Sequence, residues 1–327
     1  MDVFFQNSTW DINGNYQETD GYMDRYEFCM SRLHAVQRKK RDRSVIATAL
    51  NLDFPTDVTD IIVMVESIHK YLLPLLSTKG EIPVLYVYWS SDVTSSESQA
   101  KISKLEVEIT RTLRGDNYPQ AAVRMIDISD HYRTFPVGFD PEGEEPRRGK
   151  KRNKWGYAQM CRWNSANLFW HPSMHDVKYY FRLDADACFF APFLADPFAR
   201  QPNQVYLRNQ IDWESEGAMC GLRAWYHAYV QYKKYPRRVS ERAHSVLATK
   251  HFRNFYTNFE LIDVELYLQN DNLVETTCHF EASLNILRFR WGDAPIRTLL
   301  LQSFFERQQI AERGHYSMPY RHTCHKR

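Results

Sequence analysis

From residue 44 onward, short β-branched or aromatic runs alternate with stretches whose apolar residues recur every three or four positions. "SVIATAL" (44–50), "PVLYVYW" (83–89), "AAVRMIDI" (121–128) and "VKYYFRLD" (177–184) each read as a strand buried in a sheet. Between the first two, Val58, Ile61, Ile62, Val65, Ile68 and Leu72 form one apolar helical face, with Thr56 or Asp57 placed to cap its start. Ile102, Leu105, Ile109 and Leu113 mark a second amphipathic helix, ended at Gly115. "WGYAQMCRWNSANLFW" (155–170) reads as helical. Strands alternating with helices of this length predict an α/β fold with a mainly parallel central sheet flanked by helices.

Two segments break the rhythm. Residues 1–43 are polar, close on the basic run "RKKRDR", and read as a loosely attached arm with one helix around Tyr26–Val36. Residues 133–155 hold Pro136, Gly138, Pro141, Gly143, Pro146 and Gly149, then "RRGKKRNK", and predict a long surface loop. Its basic run reads first as a solvated surface and second as a contact for an anionic ligand. The remainder, 44–327, is expected to form a single domain, because 43% hydrophobic residues in a chain of 327 supply a sizeable core. A net charge of +2 gives no electrostatic case for a nucleic-acid partner. No run of about 18 apolar residues predicts a transmembrane segment, and the polar start "MDVFFQNSTWDINGNYQETDG" lacks the pattern of a signal peptide. Six separated cysteines with no CxxC pair exclude zinc ribbons and leave disulfides open.

The chemistry concentrates in the second half. "RLDADACFF" (182–190) ends an apolar strand on Asp184 and Asp186, which share a face at i and i+2. Paired carboxylates repel unless a cation lies between them, and oxygen donors suit Mg²⁺ or Mn²⁺ shared with substrate phosphates. The plainer alternative is that both cap the following turn. Glu260 lies inside the apolar run "NFYTNFELIDVELY", where a carboxylate must be paired or functional. Asp293, before Pro295, reads as a helix cap or an acceptor for sugar hydroxyls. The tail "GHYSMPYRHTCH" is dense in histidine. Residues alone point to a metal-assisted enzyme acting on a diphosphate sugar.

Several stretches together resemble the fungal-type α-1,2-mannosyltransferases of glycosyltransferase family 15: "YAQMCRWNSANLFWHP" (157–172), "YYFRLDADACFF" (179–190), "NFYTNFELID" (254–263) and "RWGDAPIRTLLLQSFF" (290–305). The resemblance implies a GT-A fold and transfer of mannose from GDP-mannose to a mannose-containing glycan, with retention, an α-1,2 linkage and Mn²⁺ or Mg²⁺ as cofactor. It puts Asp184 and Asp186 at the metal, Tyr157 and Arg162 at the donor diphosphate, Glu260 at the reacting carbon and Asp293 on the sugar side. Ser317 stands where the family has a metal-binding histidine, so His315 is taken as its substitute. The family is anchored in the secretory lumen. The lack of an anchor here leaves a soluble or cytoplasmic setting open. A transferase for another nucleotide sugar and a catalytically impaired sugar-binding relative are the competing readings.

Overall fold

The computed structural model describes residues 8–10, 16–18, 21–91, 96–144, 155–199, 203–208, 211–214, 219–248, 252–289, 291–312 and 318–324. The four strands expected from the sequence form as β1 (Arg43–Asn51), β2 (Val84–Ser90), β3 (Val123–Asp127) and β4 (Val177–Leu183). Three more, β5 (Tyr206–Arg208), β6 (Phe259–Asp263) and β7 (Ile310–Glu312), complete a seven-stranded sheet in the order β7-β5-β6-β4-β1-β2-β3. Strands β3, β2, β1 and β4 pair in parallel, β7 is parallel to β5, and β6 runs antiparallel to both its neighbours.

Strand alternation sorts side chains onto two faces. Ile46, Leu85, Val87, Phe181, Leu183, Phe259 and Leu261 face one apolar layer. That layer is completed by α1 (Pro55–Tyr71), through Ile61, Met64, Val65 and Ile68, and by α2 (Ser96–Arg114), through Ile102, Leu105, Ile109 and Leu113. The cap expected on α1 is absent: its N-cap is Phe54, Pro55 opens the first turn, and Asp57 instead accepts the Asn51 amide. Val45, Ala47, Tyr86, Tyr88, Tyr180, Tyr206 and Ile262 face the opposite layer.

That second layer includes α3 (Gly156–Arg162), a π-helical turn at Trp163–Asn167, and the helices α4 (Asp271–Ala282) and α5 (Asp293–Phe304). It also takes in the helix Tyr22–Gln37, so this part of the expected arm is firmly attached. Cys29 is bonded to Cys278 of α4, Arg25 Nε donates to the Ala282 carbonyl at 2.9 Å, and Leu33 and Val36 are buried. The loop after residue 133 is packed as far as it is described: Phe139 meets Trp155 edge to face and Arg288 pairs with Glu144. Its basic run lies outside the described residues. Among the described residues, no helix is long and apolar enough to cross a membrane.

Candidate active site

Even-numbered positions of β4 point to the second layer, so Tyr180, Arg182 and Asp184 share one face. Arg182 lies opposite Glu260 in the β4–β6 register, and Arg208 lies opposite Glu260 on its other side. The fold thereby buries an arginine and a glutamate side by side. Arg182 reaches three carboxylates: Asp293 at 2.5 Å, Asp184 at 3.1 Å and Glu260 at 3.9 Å. Burial opposes charge on this guanidinium, but Asp184, Asp293 and Glu260 hold it firmly protonated.

Glu260 is fully buried. Its Oε2 accepts from Arg297 Nε at 3.2 Å and from the Tyr206 hydroxyl at 3.1 Å, while Oε1 has no hydrogen-bond partner among the described residues. Burial pushes the Glu260 carboxyl above its ordinary range, and the Arg297 and Arg182 guanidiniums pull it back toward the charged form. Arg297, from α5, is fixed in turn by Tyr267 Oη at 2.6 Å and by the carbonyl of Asn164, in the π-helical turn, at 2.7 Å.

A cleft of about 310 Å³ opens at the carboxyl end of β4, lined by Arg182, Asp184, Asp186, Asp57, Tyr88 and Asn164, among others. Such a position is where open α/β sheets bind ligands. At its mouth, Asp184, Asp186 and His322 place one potential ligand atom each within 4.8 Å of one another. His322 Nε2 lies 2.9 Å from Asp186 Oδ1. Two carboxylates and an imidazole with room beside them fit a Mn²⁺- or Mg²⁺-type ion that completes its shell with substrate oxygens.

The structure thus places Asp184 and Asp186 in the lining of the cleft, whereas Glu260 and Asp293 lie behind it, joined to it through Arg182. Asp293 begins α5 but does not cap it; its carboxylate takes Arg182 and the Thr257 hydroxyl, the latter at 3.2 Å. Tyr157 is half-exposed at the start of α3, beside Gly292. Arg162, expected at a diphosphate, is bound by buried Glu281 at 2.5 Å and is not among the residues that line the cleft. His315 lies outside the described residues, and the histidine beside the aspartates is His322. Sequence reasoning missed Arg182 and Arg297. Both carried a signal: each is a cation inside an apolar run, which requires a buried anion for a partner.

Residues 36–326 match the family described as glycolipid 2-alpha-mannosyltransferase. Among curated proteins, the chain is 26% identical over 166 residues to the O-glycoside alpha-1,2-mannosyltransferase omh1 of Schizosaccharomyces pombe, covering 48% of this chain and 42% of that protein. It spans about half the length of the curated relatives it matches. In three dimensions it is similar to the mannosyltransferase Ktr4p of S. cerevisiae, with a TM-score of 0.64 and 18% identity over 96% of this chain and 81% of that one. It is equally similar, at a TM-score of 0.64 and 18% identity, to core-mannan synthase A of Aspergillus fumigatus in its Mn/GDP form, over 86% of this chain and 75% of that one. The α/β architecture is that of the GT-A glycosyltransferases.

Proposed function

We propose, for a chain that belongs to the glycolipid 2-alpha-mannosyltransferase family, that it transfers mannose from GDP-mannose to a mannose-containing glycan, forming an α-1,2 linkage with retention of configuration. One observation carries this reading: Arg182 ties the Asp184–Asp186–His322 cluster to the buried Glu260 and to Asp293 in a single charged array beside the cleft. Asp184, Asp186 and His322 are the residues that would hold a divalent ion, with Mn²⁺ the first choice because a related fold is known in a Mn/GDP form. Such an ion supplies positive charge to the leaving diphosphate.

The chain's own residues supply the rest. Glu260 is the carboxylate available to positive charge developing at the anomeric carbon, either as the nucleophile of a covalent sugar–enzyme step or as its electrostatic stabiliser. Arg297 and Tyr206 fix its Oε2, while Oε1, 3.9 Å from Arg182, has no hydrogen-bond partner among the described residues and is the oxygen assigned to that role. Asp293, positioned by Arg182 and Thr257, is available to accept from sugar hydroxyls. Titration with GDP-mannose, with and without Mn²⁺, tests the reading. Metal-dependent binding and an α-anomeric product by NMR are expected. Asp186→Ala is expected to abolish the metal-dependent part, and unchanged affinity would remove Asp186 from the site. Preference for a uridine-linked sugar would reassign the donor.

A further inference from the structure

The three candidate ligands come from two segments far apart in sequence, Asp184 and Asp186 behind β4 and His322 near the carboxyl end. Each segment carries a cysteine two residues beyond its last ligand. Cys188 and Cys324 form a disulfide with a sequence separation of 136 residues. Around it the segments are stitched by a two-residue antiparallel pairing, Tyr320 with Phe189 and Arg321 with Cys188. The Cys324 amide donates to the Asp186 carbonyl at 3.1 Å, and the Phe190 amide to the Pro319 carbonyl at 3.0 Å.

Thr323 stands between His322 and Cys324 with φ of 58°, in the left-handed region that a β-branched residue rarely adopts. Such a conformation persists only where its flanks hold it. One flank is the histidine and the other is the disulfide. Asn258 lies beneath both segments. Its carbonyl accepts from the Asp184 amide at 3.3 Å and from the Tyr320 hydroxyl at 3.2 Å, and its Nδ2 lies 3.0 Å from His322 Nε2.

We propose that the Cys188–Cys324 disulfide is the positioning element of the metal site, holding His322 against Asp184 and Asp186 so that affinity for the divalent cation depends on the bond being intact. The proposal rests on the metal reading given above. With the bond cut, the histidine segment is left with noncovalent anchors, the two-residue pairing and the hydrogen bonds around it. Ordering it then draws on the binding energy of the cation, and Thr323 is released to relax its backbone.

The test uses Mn²⁺ alone, with the free ion followed by electron paramagnetic resonance. A water-soluble phosphine reduces the disulfide to two thiols and takes up the oxygen of one water as phosphine oxide. The half-buried Cys188–Cys324 bond is expected to react before the Cys29–Cys278 bond, whose sulfurs are fully buried. Mn²⁺ affinity is expected to fall at least tenfold when thiol counting shows the first bond open, and to return on reoxidation. Cys188→Ser/Cys324→Ser is expected to show the same loss while still unfolding cooperatively. Cys29→Ser/Cys278→Ser is expected to lose thermal stability with Mn²⁺ affinity intact. Undiminished Mn²⁺ affinity in the reduced protein would overturn the positioning role and leave the metal reading standing. An equal loss in the Cys29/Cys278 variant would also overturn it, since the effect would then be general loosening. Failure of the oxidised protein to bind Mn²⁺ would overturn the metal reading itself and this inference with it.

Discussion

At the scale of single residues, the site is governed by the cost of burying charge. Glu260, Arg182 and Arg297 are nearly without solvent contact, and each is tolerable only because the others are present. Arg297→Met should therefore destabilise the protein by about 3–5 kcal/mol in urea unfolding, because it strands Glu260. Adding Glu260→Gln to that variant should cost less than the sum of the two single changes, since the stranded charge is gone. Glu260→Gln alone should bind nucleotide normally and lose transfer, and full activity would rule out its catalytic role. The carboxylates of this array were legible because acids inside apolar runs are conspicuous. Arg182 and Arg297 were legible as buried cations in need of an anion, but not which anion: the Arg182–Glu260 pairing is set by strand register, which one strand's sequence does not reveal, and the Arg297–Glu260 pairing by the docking of α5.

At the scale of elements, hydrophobic periodicity located the first four strands and both amphipathic helices, and the buried residues of α2 are those the spacing singled out together with Ser98. Local chemistry was less legible. The α1 start uses no side-chain cap, and the helical stretch from residue 156 is interrupted by a π-helical turn whose Asn164 carbonyl serves Arg297. The residue pattern of the stretch does not mark such a turn, which is rare and occurs mostly as a single turn inside an α-helix. The end of α2 was legible: Gly115 has φ of 47°, and an added Cβ would come 2.6 Å from His69 Cε1. Gly115→Ala should accordingly cost about 1–2 kcal/mol through backbone strain and displacement of His69. An unchanged urea midpoint would show that the turn yields.

At the scale of the whole molecule, two buried imidazoles link stability to acidity. Burial, together with the nearby Arg162, lowers His131 to about 3, and burial, together with Lys233, lowers His279 to about 3 as well. Both rings are neutral in the fold but take up protons near pH 6.5 once unfolded. Stability from this source is complete above about pH 6.5 and is lost as pH falls toward 3, with a slope of at most about 1.4 kcal/mol per pH unit for each ring. Urea unfolding at several pH values checks the sign, and a midpoint flat across that interval would contradict it. The docking of the helix Tyr22–Gln37 was not legible, since its partner α4 lies some 250 positions further along.

The strand order carries a consequence for synthesis. β1 sits between β2 and β4, with Ile46 registered against Phe181, so one side of β1 has no neighbour until residue 183 has left the ribosome. The helix Tyr22–Gln37 waits longer still, because Cys29 meets Cys278 only after most of the chain exists. A nascent chain of this design presents an unpaired strand and a helix whose face of Tyr22, Cys29, Leu33 and Val36 is undocked for much of its elongation, and its yield on expression should depend on chaperones that shield those two surfaces.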